Sequence, residues 1–290
     1  MKIAESELIL NPDGSVYHLN LKPEDIADTI LTVGDQYRVQ SVSKYFDSIE
    51  FETQKREFKT HTGYYKGKRL TVISTGIGID NIDIVLNELD ALANIDLSTR
   101  KVKEKLKSLN IIRIGTSGAL QDYIGLDKFV MGKAGLGLDG LPYYYKNYKS
   151  ALDDSIDFVK DLDWDPNKPK PYLVECSEDL AELFEQEIDV TSGITLTSLG
   201  FYGPQGRKLR LGLEHDNFLD KLIRVTYKDY PVTNMEMETS AIYALAKLLG
   251  HKALSMNAIL ANRKTGEFSK NPYMVIDDLI KFTLERVVKI

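Results

Sequence analysis

Asn110-Ile-Ile-Arg-Ile-Gly-Thr-Ser-Gly118 is the stretch on which the fold turns. Its first half is an apolar run of strand composition interrupted by one arginine. Its second half places small hydroxyl residues between two glycines, which stop the strand and open a turn. The same grammar recurs upstream. Residues 29–33 (TILTV) read as a short buried strand ending at Gly34, and residues 70–74 (LTVIS) as another, ending in Ser74-Thr-Gly-Ile-Gly78. Between them and Asn110, Ile82, Val85, Leu86, Leu89 and Leu92 follow helical spacing, which predicts an amphipathic helix over residues 81–93. Ser98 is positioned to cap a second, lysine-rich helix running to Leu109.

Downstream the alternation continues. Residues 128–134 read as a strand. Residues 135–171, rich in Gly, Tyr, Asp and Pro, read as an excursion over the surface with a weak helix near residues 153–160. A helix is expected over 177–187, a strand over 190–198, and a helix over 235–249 closed by Gly250. A last strand over 254–260 and a closing helix over 272–290 complete the pattern. Strands alternating with helices define an α/β protein with a central sheet. With no internal repeat, low-complexity tract or linker, residues 1–290 read as a single domain. In open α/β sheets ligands collect at the carboxyl ends of strands, where such turns expose backbone N–H groups.

Composition narrows the function classes. Hydrophobic content of 43% and charged content of 28% are those of an ordinary globular protein. A net charge of −6 argues against broad nucleic-acid or anionic-membrane binding, which would need a basic face. One cysteine, Cys176, allows no intrachain disulfide and fits a reducing compartment. It reads as a small buried side chain rather than a nucleophile, since no activating histidine is evident nearby. One cysteine and four scattered histidines make no metal-ligand cluster, so no metal is expected. The N-terminus MKIAESELIL lacks the positive start and apolar core of a signal peptide. No apolar run approaches the roughly 20 residues that span a bilayer. A soluble, cytoplasmic protein is expected.

Four segments carry chemistry. In Gly34-Asp-Gln-Tyr-Arg38 the glycine lets the backbone approach an anion and the arginine can reach the same anion, although a turn with a surface arginine is the plainer reading. Arg113 sits in an apolar strand, where an unpaired charge is costly. Either it serves an anion held by the amides and hydroxyls that follow, or it belongs to a structural ion pair. Phe201-Tyr-Gly-Pro-Gln-Gly-Arg207 is a loop by its Gly and Pro. Gln205 can accept from a ring N–H while donating to one carbonyl, and Arg207 can donate to another, a match to a pyrimidine dione. Phe201 offers the ring a flat apolar face. In Asn234-Met-Glu-Met-Glu-Thr239, Glu236 and Glu238 do not share a helix face and make no simple acid/base dyad. One of them could accept from a sugar's vicinal hydroxyls; both could simply favour the positive end of a helix.

Taken together, these segments resemble the nucleoside phosphorylase-I family, and within it the uridine phosphorylases. The resemblance runs from Tyr17-His-Leu-Asn-Leu21 to Ala261-Asn-Arg263, most of the chain. Arg113-Ile-Gly-Thr-Ser-Gly118, Phe201-Tyr-x-x-Gln-x-Arg207 and Glu236-Met-Glu238 are its most specific motifs, and Leu138-Asp-Gly140 resembles the family's central segment. The resemblance implies a single-domain α/β fold with a mixed, partly barrel-like sheet flanked by helices. It implies reversible phosphorolysis of a nucleoside to ribose 1-phosphate and free base, through an oxocarbenium-like transition state.

By this resemblance phosphate is held by Gly34, Arg38, Arg113 and Thr116, with Arg56 contributed by a neighbouring subunit. Ribose is held by Thr116, Met237 and Glu238, with His18 reaching across a dimer interface. Phe201, Gln205 and Arg207 read the base, Arg263 orders the base loop, and Arg113, Arg207 and Glu238 carry catalysis. Inorganic phosphate is the co-substrate and no organic cofactor is implied. The implied assembly is a homodimer, or a hexamer of dimers. Purine-acting relatives place an aspartate after the late strand, where this chain reads Leu260-Ala-Asn-Arg263. That absence, with Gln205 and Arg207, favours a pyrimidine and uridine first. Purine phosphorolysis, or nucleoside binding with little catalysis, is the alternative. The chain departs from the family at Ile79-Asp-Asn81, where Asn81 replaces a serine of a monovalent-cation site, so bound potassium is not expected.

Overall fold

The strand built around Arg113 is longer than its apolar run, because the glycines and hydroxyls that follow stay in the sheet. The computed structural model describes residues 2–153, 164–185 and 190–290. Its first half comprises β1 (Thr29–Val33), α1 (Gln36–Ser43), β2 (Ser48–Lys55), β3 (Phe58–Tyr65), β4 (Lys68–Ser74), α2 (Ile79–Asn94), β5 (Ile95–Asp96), β6 (Lys101–Val102) and β7 (Asn110–Ala119). The second half comprises β8 (Phe129–Gly137), β9 (Tyr172–Glu175), α3 (Glu178–Glu185), β10 (Val190–Thr197), α4 (Phe218–Leu222), β11 (Thr226–Tyr227), β12 (Tyr230–Glu236), α5 (Thr239–Leu249), β13 (Lys252–Asn262) and α6 (Pro272–Val287).

β7 is the hub of an 11-stranded mixed sheet ordered β11-β12-β10-β8-β13-β7-β1-β4-β3-β2, with β9 against β8. It pairs in parallel with β1 and β13, and its far end pairs antiparallel with β12 through Met235↔Gly118 and Asn234↔Ala119. That last pairing closes β12, β10, β8, β13 and β7 into a ring, the barrel-like part of the sheet. Helices cover both sides. Leu86 and Leu89 of α2 pack with Ala241 and Leu245 of α5 over one face. Val39 and Val42 of α1, Phe184 of α3 and Leu279 and Leu284 of α6 pack over the other. Each fully buried leucine contributes about 1.5–3 kcal/mol by leaving water. The α/β class and the mixed, partly closed sheet are therefore as expected. Among the described residues no helix is long and apolar enough to cross a membrane.

Two expected helices are corrected. Residues 98–109 are not helical: β5 and β6 form a small antiparallel hairpin there. Ser98 does not cap a helix, because Asp96 Oδ1 accepts both its hydroxyl (2.7 Å) and its N–H (2.9 Å), and Arg100 takes a left-handed φ of 57°. The stretch also lacks an apolar face, since Leu106 is exposed and Leu109 alone is buried. The second correction is at 235–249. Met235 and Glu236 end β12, paired with Leu196 and Thr197, and the helix starts only at Thr239. The β2–β3 hairpin carries no apolar run in the sequence: β2 is a largely exposed edge strand in which only Ile49 and Phe51 are apolar. The helix expected over 177–187 is described to Glu185. That expected near 153–160 lies, past Asp153, outside the described residues.

Candidate active site

Parallel strands end at the same edge, so the turns after β1, β4 and β7 meet there. With the 201–207 loop and the β12–α5 junction they enclose a cavity of about 660 Å³. Gly34, Arg38, Arg113, Thr116, Phe201, Gln205, Arg207, Met237 and Glu238 all line it. His18 and Arg56 do not.

At the deep end, Arg113 is 6% exposed. Its Nη2 donates to Glu238 Oε2 at 2.6 Å and lies 3.1 Å from Glu236 Oε2, and its Nη1 donates to Asn257 Oδ1 at 2.7 Å. Burial works against its charge, but the two carboxylates outweigh burial and leave its pKa raised. Arg38 approaches from α1, whose first turn is capped by Asp35 accepting from the Tyr37 N–H at 2.9 Å. Its Nη1 donates to the Ile114 carbonyl at 3.2 Å. Burial and the neighbouring Arg113 push Arg38 down to about 10. Two guanidiniums that disfavour one another across a cavity lower their energy by sharing an anion. A Cβ at Gly34 would meet only the Gly76 carbonyl at 3.5 Å, so this glycine leaves room rather than relieving a clash.

The two glutamates have separate duties. Glu236 accepts from the N–H groups of Glu238 and Thr239 at 3.0 Å and from Thr197 Oγ1 at 2.8 Å, capping α5. Burial raises its pKa while Arg113 opposes the rise. Glu238, which lines the cavity together with Glu236, accepts from the Gly78 N–H at 2.8 Å as well as from Arg113. Gly78 adopts a φ of 98°, open to glycine and costly for other residues, and this aims its N–H at the carboxylate. Both carboxylates thus stand at the start of α5 and both line the cavity; they differ in partners, Glu236 taking the N–H groups of Glu238 and Thr239 and Glu238 taking Arg113 and Gly78. For Arg113 the structural ion pair and the cavity position coexist.

At the outer end Gln205 is 3% exposed while Phe201 is 49% exposed. Arg207 lies on the Phe201 ring, its guanidinium carbon 3.7 Å from the centroid. It donates to the Phe201 carbonyl at 2.7 Å and to Gln205 Oε1. Burial and then Arg263 push Arg207 down to about 10. Arg263 Nη1 donates to the Gln205 carbonyl at 3.0 Å, tying the loop to the end of β13. Asn262, in the stretch that lacks an aspartate, is buried and turned toward the β7–β8 connection, donating to the Gln121 and Ile124 carbonyls at 2.9 Å.

A model described as the phosphorylase superfamily matches residues 28–288. The chain belongs to the phosphorylase superfamily. The uridine phosphorylase of Thermococcus kodakarensis is 31% identical over 274 residues, covering 93% of this chain and 85% of that one. The DeoD-type purine nucleoside phosphorylase of Colwellia psychrerythraea is 28% identical over 274 residues, covering 93% and 98%. A crystal structure of a Trypanosoma brucei nucleoside phosphorylase, described as showing uridine phosphorylase activity, superposes with a TM-score of 0.85 at 27% identity, covering 98% of this chain and 100% of that one.

Within this superfamily member, His18 and Arg56 share a patch around Tyr17 that does not line the cavity, although Glu57, next to Arg56, does. His18 Nδ1 is 2.6 Å from Glu88 Oε1 on α2, and its ring packs edge-on to Tyr17 with centroids 4.8 Å apart. Arg56, with a left-handed φ of 54° at the β2–β3 turn, holds its guanidinium 6.0 Å from the same Tyr17 ring. Cys176 is partly buried, and burial pushes its thiol up to about 12, the opposite of nucleophile activation. Among the described residues no group of three or more His, Cys, Asp or Glu could hold a metal ion. Glu57 and Asn81 also line the cavity, both against Gly76. Sequence reasoning passed over Asn257, although a carboxamide inside Leu254-Ser-Met-Asn-Ala-Ile-Leu260 breaks an apolar strand just as Arg113 does.

Proposed function

We propose that this chain is a nucleoside phosphorylase, a pentosyltransferase that converts uridine and inorganic phosphate to ribose 1-phosphate and uracil. The observation that carries the reading is the division of one cavity into two ends: Arg38 and Arg113 beside Glu238 at one, Gln205 and Arg207 beside Phe201 at the other. A phosphate dianion between Arg38, Arg113, Thr116 and the Gly34 turn would offset the mutual repulsion of the arginines. Glu238 would accept from the ribose hydroxyls, with Met237 packed on the sugar. A phosphate oxygen then adds to C1′ as the C1′–N1 bond breaks, the electron pair leaving with the base. Phosphate stabilises the cationic sugar, and Gln205 and Arg207 stabilise the charge on the departing ring. Holding both reactants in line supplies the remainder, so no cofactor enters the scheme.

A complete site calls for a homo-oligomer, at least a dimer. Tyr17 links His18 and Arg56 in one patch outside the cavity, which supports both reaching a neighbouring subunit's site. The single cysteine supports a cytoplasmic setting.

Uracil release from uridine, followed with and without phosphate, tests the proposal. Release only with phosphate is expected; equal release in both would make the protein a hydrolase. The DeoD-type relatives justify running inosine beside uridine, and inosine outcompeting uridine would move the assignment to purines. Uridine binding with no turnover at high enzyme concentration would leave a nucleoside-binding protein.

A further inference from the structure

The phosphate-end arginine is held by a neutral residue as well as by carboxylates, and that neutrality has a use. Asn257 lies on β13 directly beside Gly115 of β7 in the parallel register. A Cβ at Gly115 would fall 1.7 Å from Arg113 Nη1 and 2.8 Å from Asn257 Oδ1, so the missing side chain is what lets Arg113 fold across to its neighbour strand. The carboxamide cannot turn freely. Its Nδ2 donates to Ser255 Oγ at 3.2 Å, Ser255 Oγ accepts from Thr239 Oγ1 at 2.8 Å, and the Ser255 N–H donates to Tyr243 Oη at 2.8 Å. Oδ1 is thereby aimed at Arg113. The chain of contacts runs from the arginine to the first residue of α5, the helix that follows Glu238.

We infer that Asn257 is a positioning residue for phosphate: it fixes the Arg113 guanidinium in the plane that leaves donors for the anion, without adding a third negative charge. One Nη1 hydrogen goes to Asn257 and one Nη2 hydrogen to Glu238. The second Nη1 hydrogen and the Nε hydrogen have no hydrogen bond among the described residues. Two carboxylates already stand beside this cation, at 2.6 and 3.1 Å. A carboxylate in place of the carboxamide would hold Arg113 as firmly while repelling a phosphate dianion. A residue that accepts a hydrogen bond yet carries no charge is the one that orients the group and preserves the anion site.

The inference rests on the phosphorylase reading, and its test separates the two. Asn257→Asp and Asn257→Ala are compared with the unsubstituted enzyme for phosphate KM, nucleoside KM and kcat, with phosphate binding measured independently by calorimetry using inorganic phosphate alone. Asn257→Asp keeps shape and oxygen, so it is expected to fold and to raise phosphate KM about tenfold or more, with nucleoside KM changed less than twofold. Asn257→Ala should raise phosphate KM by a smaller factor, because it frees the guanidinium without adding charge. Unchanged phosphate KM and phosphate Kd in both variants would overturn the inference, as would equal rises in both KM values with a fall in Tm, which mark a purely structural role. An unsubstituted enzyme that releases base without phosphate would instead overturn the proposed function.

Discussion

The two ends of the cavity hold their arginines in opposite ways. Arg113 sits on a strand, and its hydrogen-bonded partners Glu238 and Asn257 are 125 and 144 residues away in sequence. Arg207 sits on a loop and bonds to Phe201 and Gln205, six and two residues away. The first arrangement exists only when β7, β13 and α5 are assembled, so the fold fixes it. The second is made by the loop within itself, and the loop is tied to the sheet through Arg263 after β13, at 3.0 Å, and through Gln205 Nε2 to the Glu236 carbonyl of β12, at 3.4 Å. On the proposed reading, long-range contacts would make a rigid anchor for phosphate. Local contacts could be exchanged for contacts to a base, since bonds to ring carbonyls could replace those of Arg207 to Phe201 and Gln205.

That contrast predicts different penalties for the same substitution. Arg113→Ala leaves Glu236 and Glu238 buried beside each other with no cation in hydrogen-bonding contact, Arg38 acting on Glu238 only at longer range. Loss of about 3–5 kcal/mol of unfolding free energy is expected, because an uncompensated buried charge is left behind. Urea unfolding measures it, and phosphorolysis should fall at least in proportion to the phosphate affinity lost. Arg207→Ala removes no long-range partner and should change stability by no more than about 0.5 kcal/mol. Its effect is expected in catalysis: a barrier for uridine higher by about 2 kcal/mol, since the departing base loses a charged donor. If the two variants lost stability equally, the distinction between a fold-held and a loop-held arginine would fail. Unchanged uridine turnover in Arg207→Ala would remove that residue from base recognition.

The same distinction explains what could be read in advance. The strand that ends at Gly34 and the first half of the strand bearing Arg113 were legible because a buried strand in a parallel region writes itself as an apolar run, and a charge inside that run stands out. The continuation of β7 through Gly115 to Ala119 was not, because glycines and hydroxyls read as a turn. Phe201, Gln205 and Arg207 were legible only as a motif, for no periodicity marks a loop. The separate duties of Glu236 and Glu238 were not legible. They depend on β12 extending through Glu236 beside the ring closure against β7, which hands one carboxylate to the N–H groups that open α5 and the next to Arg113 and Gly78. Residues 98–109 failed for a simpler reason: Asp96 competes for the Ser98 N–H and hydroxyl, and side chain to backbone bonds of this kind displace a helix start when no apolar face supports it.

The smallest expected effect separates the anchor from its companion within the deep end. Arg38 has no carboxylate in hydrogen-bonding contact among the described residues, and burial together with Arg113 holds its pKa at about 10, whereas the carboxylates beside Arg113 raise that of Arg113. Both arginines keep their charge, so the lowered pKa of Arg38 marks a cation that is poorly compensated rather than a proton given up. A phosphate dianion would supply that compensation. Arg38→Lys shortens the reach and replaces the paired donors with a point charge, so it is expected to raise phosphate KM about twofold at neutral pH. Its Tm should stay close to that of the unsubstituted protein, because no buried carboxylate loses a hydrogen-bonded partner. A fall in Tm as large as that of Arg113→Ala would mean that Arg38 is as firmly compensated as Arg113, and the deep end would then be one fold-held unit rather than an anchored arginine with an uncompensated companion.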